Sequence, residues 1–439
     1  EPLYRLFNYI TQTFQQAKGR KLTSIEVHDI LCMTGEVVVV GGVRRSALIS
    51  LSDLTDRGMR EAKVGAWWEH NPQRALANNS VVYTEKPDVE TFMEEWLSLV
   101  KSKSGERGIF NRLAAGNQAA KFGRRDKDRN YGCNPCSEII LRDKQFCNLT
   151  EVVARSKDGF EQLKSKVRIA SILGTIQSTL TEFNFLSEDW KKNCEEERLL
   201  GVSLTGIMDH PILSQCGDTV IDWLGKLRDE ARKTNKEWAN RLGISKSAAI
   251  TCIKPSGTVS ELVGSSSGIH PRYSEFYIRA IRQDNKDPLP DFLKDNGIRS
   301  ESCFGKEEHN TVFFFPIHSP VESRRRDRIT AIEQLEHWLI YQRYWCEHKP
   351  SITVYVRPEE WLSVGAWVYE HFGEMSGVSF LPFSEHSYVQ APFTECTQGE
   401  YERAVGELNL DIDWSLFKEE SDNTTASQEL SCSSEKGCF

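Results

Sequence analysis

What constrains this chain most is the alternation of short apolar runs with longer stretches of helical periodicity. Glu36 to Val40 reads as a buried strand punctuated by Gly41-Gly42, and Asn78-Asn79-Ser80 as a turn ahead of a short strand, Val81-Val82-Tyr83. Ser247 to Ile253 and Ile352 to Val356 also read as strands. Between them, residues 88–103, 166–184, 222–242 and 328–346 carry helical spacing. In 222–242 the buried stripe is Leu224, Leu227, Ala231, Trp238 and Leu242, and Gly243 fits a C-cap. Leu3, Leu6, Phe7, Ile10 and Phe14 predict an opening helix whose apolar face needs something to pack on. Strands alternating with helices predict an α/β class. No internal repeat is visible.

The chain has 439 residues, room for one large core or two to three ordinary domains. Hydrophobic content of 39% and charged content of 27% describe a soluble, globular protein. A net charge of −8 supplies no basic field for nucleic acid or an anionic membrane. No apolar run approaches the ~20 residues of a membrane span, and no signal peptide opens the chain. It begins Glu1-Pro2 and its first Met is Met33, so a processed or truncated product is expected. Twelve cysteines at irregular spacing do not describe a secreted disulfide scaffold; they predict a reducing, cytoplasmic setting in which some thiols do chemistry.

Cys136 is the first candidate. Residues 120–134 are polar and basic, and Gly123, Gly132 and Pro135 break any helix, so Cys136 belongs to a loop or a strand start. Asn134 and Glu138 flank it at −2 and +2. In an extended chain the three side chains share a face, placing an amide, a thiol and a carboxylate around one small volume. The amide can bind hydroxyls, the carboxylate can take a proton, and the thiol can act as nucleophile or hydrogen-atom relay. A buried loop cysteine beside surface polar residues fits the same pattern. Cys133 and Cys136 form a Cys-x-x-Cys, but zinc would need a second ligand pair, and Cys147 has none beside it, so no metal ligands are assigned.

Two further features carry chemistry. Lys418 to Phe439 is acidic, Ser/Thr-rich and poor in large apolar residues, as a mobile tail is. Cys432 and Cys438 lie in it with no core to bury them, and exposed thiols on an arm suit thiol–disulfide exchange. Such an arm of roughly twenty residues can reach across tens of ångströms. Pro255-Ser256-Gly257-Thr258-Val259-Ser260 follows a strand-like stretch and Lys254. Its hydroxyls and backbone N–H groups can cradle a phosphate, although the Gly-Lys-Ser/Thr ending of a Walker A loop is missing. A tight strand–helix turn without ligand is the plainer alternative.

Taken together, these motifs resemble those of ribonucleotide reductases from about residue 20 to the end. Asn134-Pro135-Cys136-Ser137-Glu138 is similar to the family's finger-loop motif. The resemblance implies that Cys136 carries a thiyl radical, Glu138 is general base for the 3′-hydroxyl, and Asn134 binds ribose hydroxyls. Cys147, in Phe146-Cys147-Asn148-Leu149-Thr150, resembles one of the two cysteines that reduce the 2′-carbon. Residues 255–260 resemble the substrate-phosphate loop, and Cys432/Cys438 the tail pair that regenerates the active-site dithiol. The implied fold is part of a ten-stranded α/β barrel of the ribonucleotide reductase/glycyl-radical type. It would span residues 1–417, with a central finger loop at about 131–147, its N-terminal half missing, and a redox-active tail at 418–439.

The chain has no Tyr-Tyr pair (Tyr355 stands between Val354 and Val356) and no C-terminal Arg-x-x-Gly-Tyr. Gly41-Gly42-Val43-Arg44-Arg45-Ser46-Ala47, Asn78-Asn79-Ser80 and Gly268-Ile269-His270-Pro271-Arg272-Tyr273 resemble the adenosylcobalamin-dependent class, in its monomeric, triphosphate-reducing branch. The absence of Asp-x-His-x-x-Gly fits a class that puts no protein His on cobalt. The resemblance implies adenosylcobalamin as cofactor, a ribonucleoside triphosphate as substrate and a thioredoxin-like reductant. The mate of Cys147 belongs upstream, and Cys32 is too close to Gly41-Gly42 to be that residue. The chain is therefore expected to need a complementary N-terminal chain or to be one piece of a longer protein. The alternative is a non-catalytic or split half, active only with that chain.

Overall fold

The computed structural model describes residues 2–40, 43–44, 46–103, 105–285, 287–304, 308, 310–383 and 390–418. Cys432, Cys438 and residues 419–439 of the expected tail lie outside the described residues, as do Gly41, Gly42 and Arg45. The strands in chain order are β1 (Val39–Val40), β2 (Val43–Arg44), β3 (Leu48–Ser52), β4 (Ala77–Tyr83), β5 (Gly108–Asn111), β6 (Gly132–Cys133), β7 (Ile140–Leu141) and β8 (Asn148–Val153). There follow β9 (Leu200–Thr205), β10 (Thr251–Cys252), β11 (Phe276–Asp284), β12 (Ser300–Ser302), β13 (Asn310–His318), β14 (Ile352–Val356), β15 (Val378–Pro382) and β16 (Phe393–Glu395).

One sheet has the order β10-β9-β8 and another β14-β15-β5-β4-β3. A parallel bridge between Ile253 and Pro350 joins them, giving a run of eight strands, β8-β9-β10-β14-β15-β5-β4-β3. The first five are mutually parallel and so are the last three; the two sets meet antiparallel where Val378 faces Ile109. Among the described residues β8 and β3 are the outer strands of this run. A four-stranded antiparallel sheet, β12-β13-β11-β16, stands beside it.

Parallel strands are covered on both faces, which is why Leu200–Thr205 is buried at every position. The helices that cover the main sheet include Phe160–Gln177, Asp218–Leu242 and Ala331–Tyr344, which bring Leu163, Val167, Leu224, Leu227, Leu335 and Trp338 into the core. The helix Asp218–Leu242 stops at Gly243, whose φ of +67° is the left-handed C-cap conformation that glycine supplies without strain. No helix among the described residues is long and apolar enough to cross a membrane.

Several sequence expectations need correction. Glu36 ends a helix, Ser24–Glu36, that a Thr23/Glu26 capping box starts, so the expected strand at 36–40 shrinks to Val39–Val40. Asn78-Asn79-Ser80 is not a turn but the first half of β4. The stretch 247–253 contributes only Thr251–Cys252. The helix expected at 166–184 runs from Phe160 to Gln177. Trp238 is only half-buried and Leu242 is exposed, so the core stripe of its helix ends earlier than expected. The opening helix, Pro2–Gln16, buries Leu6, but Leu3, Phe7 and Phe14 are more than half exposed.

Candidate active site

β6 and β7 pair antiparallel, Cys133 opposite Ile140, and residues 134–139 form the loop that closes them. The loop is not extended, so strand alternation is not what groups its side chains. Ser137 has φ +66° and its N–H donates to Asn134 O at 2.8 Å, turning the chain sharply. Asn134 Oδ1 accepts from Ile139 N–H at 2.9 Å, so the amide braces the turn from within. Asn78 Nδ2, from β4, donates to Pro135 O at 2.8 Å and holds the tip against the neighbouring strand. The turn carries Cys136 outward to an exposed tip and tucks Glu138 inward, where it is 1% exposed.

The two groups are electrically matched. Burial raises the Glu138 carboxyl above its ordinary value, and its Oε2 has no hydrogen-bond partner. The surrounding cleft walls and the nearby Glu138 push the Cys136 thiol up to about 11. At neutral pH Cys136 is therefore an S–H group, the form that gives up a hydrogen atom, and a poor nucleophile. Cys147 stands at the start of β8, where burial holds its thiol well above the usual range. Gly201 makes room for it: a Cβ there would lie 3.3 Å from Cys147 Sγ and 2.4 Å from Leu149 Cδ2. Cys32 is fully buried with Leu76 and Ala77, in a cluster separate from that of Cys147.

Two residues that the sequence reading missed hold the loop in place. His348 accepts from Ile140 N–H at 3.2 Å through Nδ1, and its Nε2 lies 3.0 Å from Leu200 O. Burial holds the ring well below its ordinary pKa, so it is neutral and serves as a bridge between β7 and β9. Lys349, 1% exposed, donates to Ser137 Oγ at 3.1 Å and Ser376 Oγ at 3.0 Å, and its backbone N–H donates to Glu138 O at 3.0 Å. Burial brings its ammonium down to about 8.

That lowered value has a testable sign. Between about pH 8 and the ordinary lysine range the unfolded chain binds the extra proton, so the Lys349 contribution makes stability rise with pH across that window. Below it the buried charge costs about 3 kcal/mol. Lys349→Met is expected to remove that slope in denaturant titrations, leave stability at pH 7 equal or higher, and still lower turnover about tenfold or more by releasing Ser137.

The phosphate-loop candidate follows β10. Lys254 N–H donates to Ser203 Oγ at 2.8 Å, Ser256 is buried with φ +54°, and a single helical turn, Val259–Leu262, begins after Thr258. Ser260 and Ser267 hydroxyls bond back to the carbonyls of Ser256 and Pro255. Pro255 and Cys136 line one cleft of about 280 Å³, with Asn78, Asn79, Ser80, Glu106, Thr353 and Ser379. The fold thus brings together two motifs far apart in sequence. Among the described residues no group of three or more His, Cys, Asp or Glu side chains could hold a metal ion.

The run of eight strands around this loop has a counterpart among solved structures. A B12-dependent, class II ribonucleotide reductase superposes with a TM-score of 0.76, at 23% identity, over 96% of this chain and 62% of that one. The chain has the fold of a ribonucleotide reductase. The class Id reductase alpha subunit of Actinobacillus ureae matches more loosely, with a TM-score of 0.53 at 15% identity over 82% of this chain and 76% of that one. Curated relatives agree. A protein of Dictyostelium discoideum described as a probable adenosylcobalamin-dependent ribonucleoside-triphosphate reductase is 30% identical over 93% of this chain and 54% of its own length. The adenosylcobalamin-dependent ribonucleoside-triphosphate reductases of Levilactobacillus brevis and Euglena gracilis are 27% and 26% identical, over 94% and 99% of this chain and 58% and 59% of their own. The chain thus spans little more than half the length of these reductases. No family model matches it.

Proposed function

We propose that this chain is the catalytic, C-terminal portion of an adenosylcobalamin-dependent ribonucleotide reductase that converts ribonucleoside triphosphates to 2′-deoxyribonucleotides. The observation that carries this reading is the cleft lined by both Cys136 and Pro255, the first residue of the phosphate-loop candidate, with a buried carboxyl, Glu138, next to the thiol in the loop. Phosphates on the loop would leave the ribose of a nucleotide in the cleft with Cys136. The Cys136 S–H is the hydrogen-atom relay: as a thiyl it takes the 3′-hydrogen of the ribose and later returns it. Glu138 accepts the 3′-hydroxyl proton, and Asn134 orients ribose hydroxyls. The 2′-hydroxyl leaves as water, and two thiols supply the two electrons and become a disulfide. Cys147 is one of them; the other belongs to a complementary N-terminal portion. Cys432 and Cys438 return the disulfide to thiols by exchange and are recycled by a thioredoxin-like partner. A reducing, cytoplasmic setting belongs to the same proposal.

The residues present fit the cofactor. Cys136 is exposed at the loop tip, and the cleft it faces includes small residues, Ser80, Gly105, Gly108, Gly377 and Ser379, among larger ones such as Ile49, Ile109 and Leu381. When bound, adenosylcobalamin supplies the radical that oxidises the thiol. Holding the thiol and the carboxyl in place falls on the chain. Burial keeps Glu138 from water, and Lys349 and His348 fix the loop that carries the thiol.

Reconstitution tests the proposal. The chain is combined with the complementary N-terminal portion, a ribonucleoside triphosphate, a dithiol and adenosylcobalamin, and deoxynucleotide is measured. Product that requires the cofactor supports the reading; no product from the complete mixture overturns it. Glu138→Gln is expected to keep nucleotide binding and lower turnover roughly 10²–10⁴-fold.

A further inference from the structure

Pro255 borders not only the Cys136 cleft but also a second cavity, of about 330 Å³, whose wall includes Gly257. Tyr273, Tyr277, Tyr355 and Phe393 form much of its aromatic surface. Three arginines reach it, and two already pair with carboxylates, one of which, Glu261, also lines the cavity. Arg272 makes a paired contact with Asp209, at 2.9 and 2.7 Å, and Arg279 pairs with Glu261 at 3.0 Å. The third, Arg326, is 4% exposed. Its Nε donates to Tyr273 O at 3.0 Å, and its guanidinium carbon lies 3.4 Å from the centre of the Tyr273 ring, 5.0 Å from that of Phe383 and 5.5 Å from that of Tyr355. Its Nη1 is buried with no hydrogen-bond partner, and no carboxylate pairs with it among the described residues.

A guanidinium cannot shed its proton, so a buried donor without a partner is costly and marks a place where an anion is favoured. Its planar fork matches the oxygens of a phosphate, and the aromatic walls strengthen such a bond by excluding water. At Gly257 the wall is open, with nothing within 4 Å of where a Cβ would stand. We propose that Arg326 receives the terminal phosphate of a ribonucleoside triphosphate whose inner phosphates lie on the Pro255–Ser260 loop. This rests on the substrate reading above and adds to it the residue that separates triphosphates from diphosphates.

Equilibrium binding to the full chain, read without turnover, tests it. Probes are a ribonucleoside triphosphate, the matching diphosphate, tripolyphosphate, pyrophosphate and adenosylcobalamin. The wild type is expected to bind the triphosphate about tenfold tighter than the diphosphate. Arg326→Gln should erase that ratio while leaving diphosphate affinity within about twofold, and Arg326→Lys, a point charge without the fork, should keep part of it. A ratio that survives Arg326→Gln overturns the proposal. So does a wild type with no preference or no binding, or an Arg326→Gln chain that loses adenosylcobalamin affinity and keeps the ratio. Should Arg326→Gln fail to fold, the wild type still decides: equal binding of tripolyphosphate and pyrophosphate overturns the assignment. Failure of the reductase reading appears elsewhere, as absent product with the binding ratio intact.

Discussion

A Cys136→Ser variant is expected to fold, bind nucleotide and make no deoxynucleotide, a loss of at least roughly 10⁴-fold in turnover. The side chain sits at an exposed tip, and the bonds that shape the loop come from Ser137, Asn134 and Asn78, none of which the substitution touches. Its cost in stability should therefore stay within about 0.5 kcal/mol. The chemistry has no such tolerance. An S–H bond is weak enough to be made and broken as a hydrogen atom passes through it, and the stronger O–H bond of serine is not. The thiol's elevated pKa, about 11, argues the same way, because a nucleophilic cysteine would be held as thiolate. Turnover of the variant combined with the complementary N-terminal portion, together with its thermal midpoint and nucleotide affinity, separates these effects. Turnover near that of the wild type would rule out the radical role of Cys136.

The sequence reading saw those parts of this site whose chemistry departs from ordinary composition. Asn134, Cys136 and Glu138 stood out because an amide, a thiol and a carboxylate are unusual so close together. Their actual grouping depends on the positive φ of Ser137, a conformation that no side-chain pattern announces. The strand Ile352–Val356 was legible because all its residues are β-branched or aromatic. Asn78-Asn79-Ser80 was misread because polar residues in a strand look like a turn. Asn78 is polar because it holds the finger loop, and Asn79 because it meets His28 at 3.0 Å, so tertiary contacts override the local signal. Lys349 and His348 escaped notice for a related reason. A lysine beside a strand is nearly always a solvated one, and only the packed fold reveals the hydroxyls of Ser137 and Ser376 that meet it.

Gly268→Ala should be the most damaging conservative change near the phosphate loop, costing about 3 kcal/mol. Gly268 has φ +55°, where a Cβ brings strain of about 1 kcal/mol. The larger part is the neighbour it would strike: the new Cβ would lie 2.4 Å from Lys254 O, a backbone atom that no rotamer change can move aside. Gly268 N–H also donates to Thr205 Oγ1 at 2.9 Å, so the segment is pinned from the other side and cannot retreat without losing that bond. The displaced carbonyl leads directly into Pro255 and Ser256. Affinity for a ribonucleoside triphosphate should consequently fall about tenfold or more, while the finger loop, anchored by Lys349 and His348, stays in place. Gly257→Ala is the control, since its Cβ would point into open space and should cost less than about 1 kcal/mol. Denaturant midpoints and nucleotide binding for the two variants decide the matter. If they lose stability and affinity equally, the close approach of Gly268 to Lys254 is not what shapes the loop.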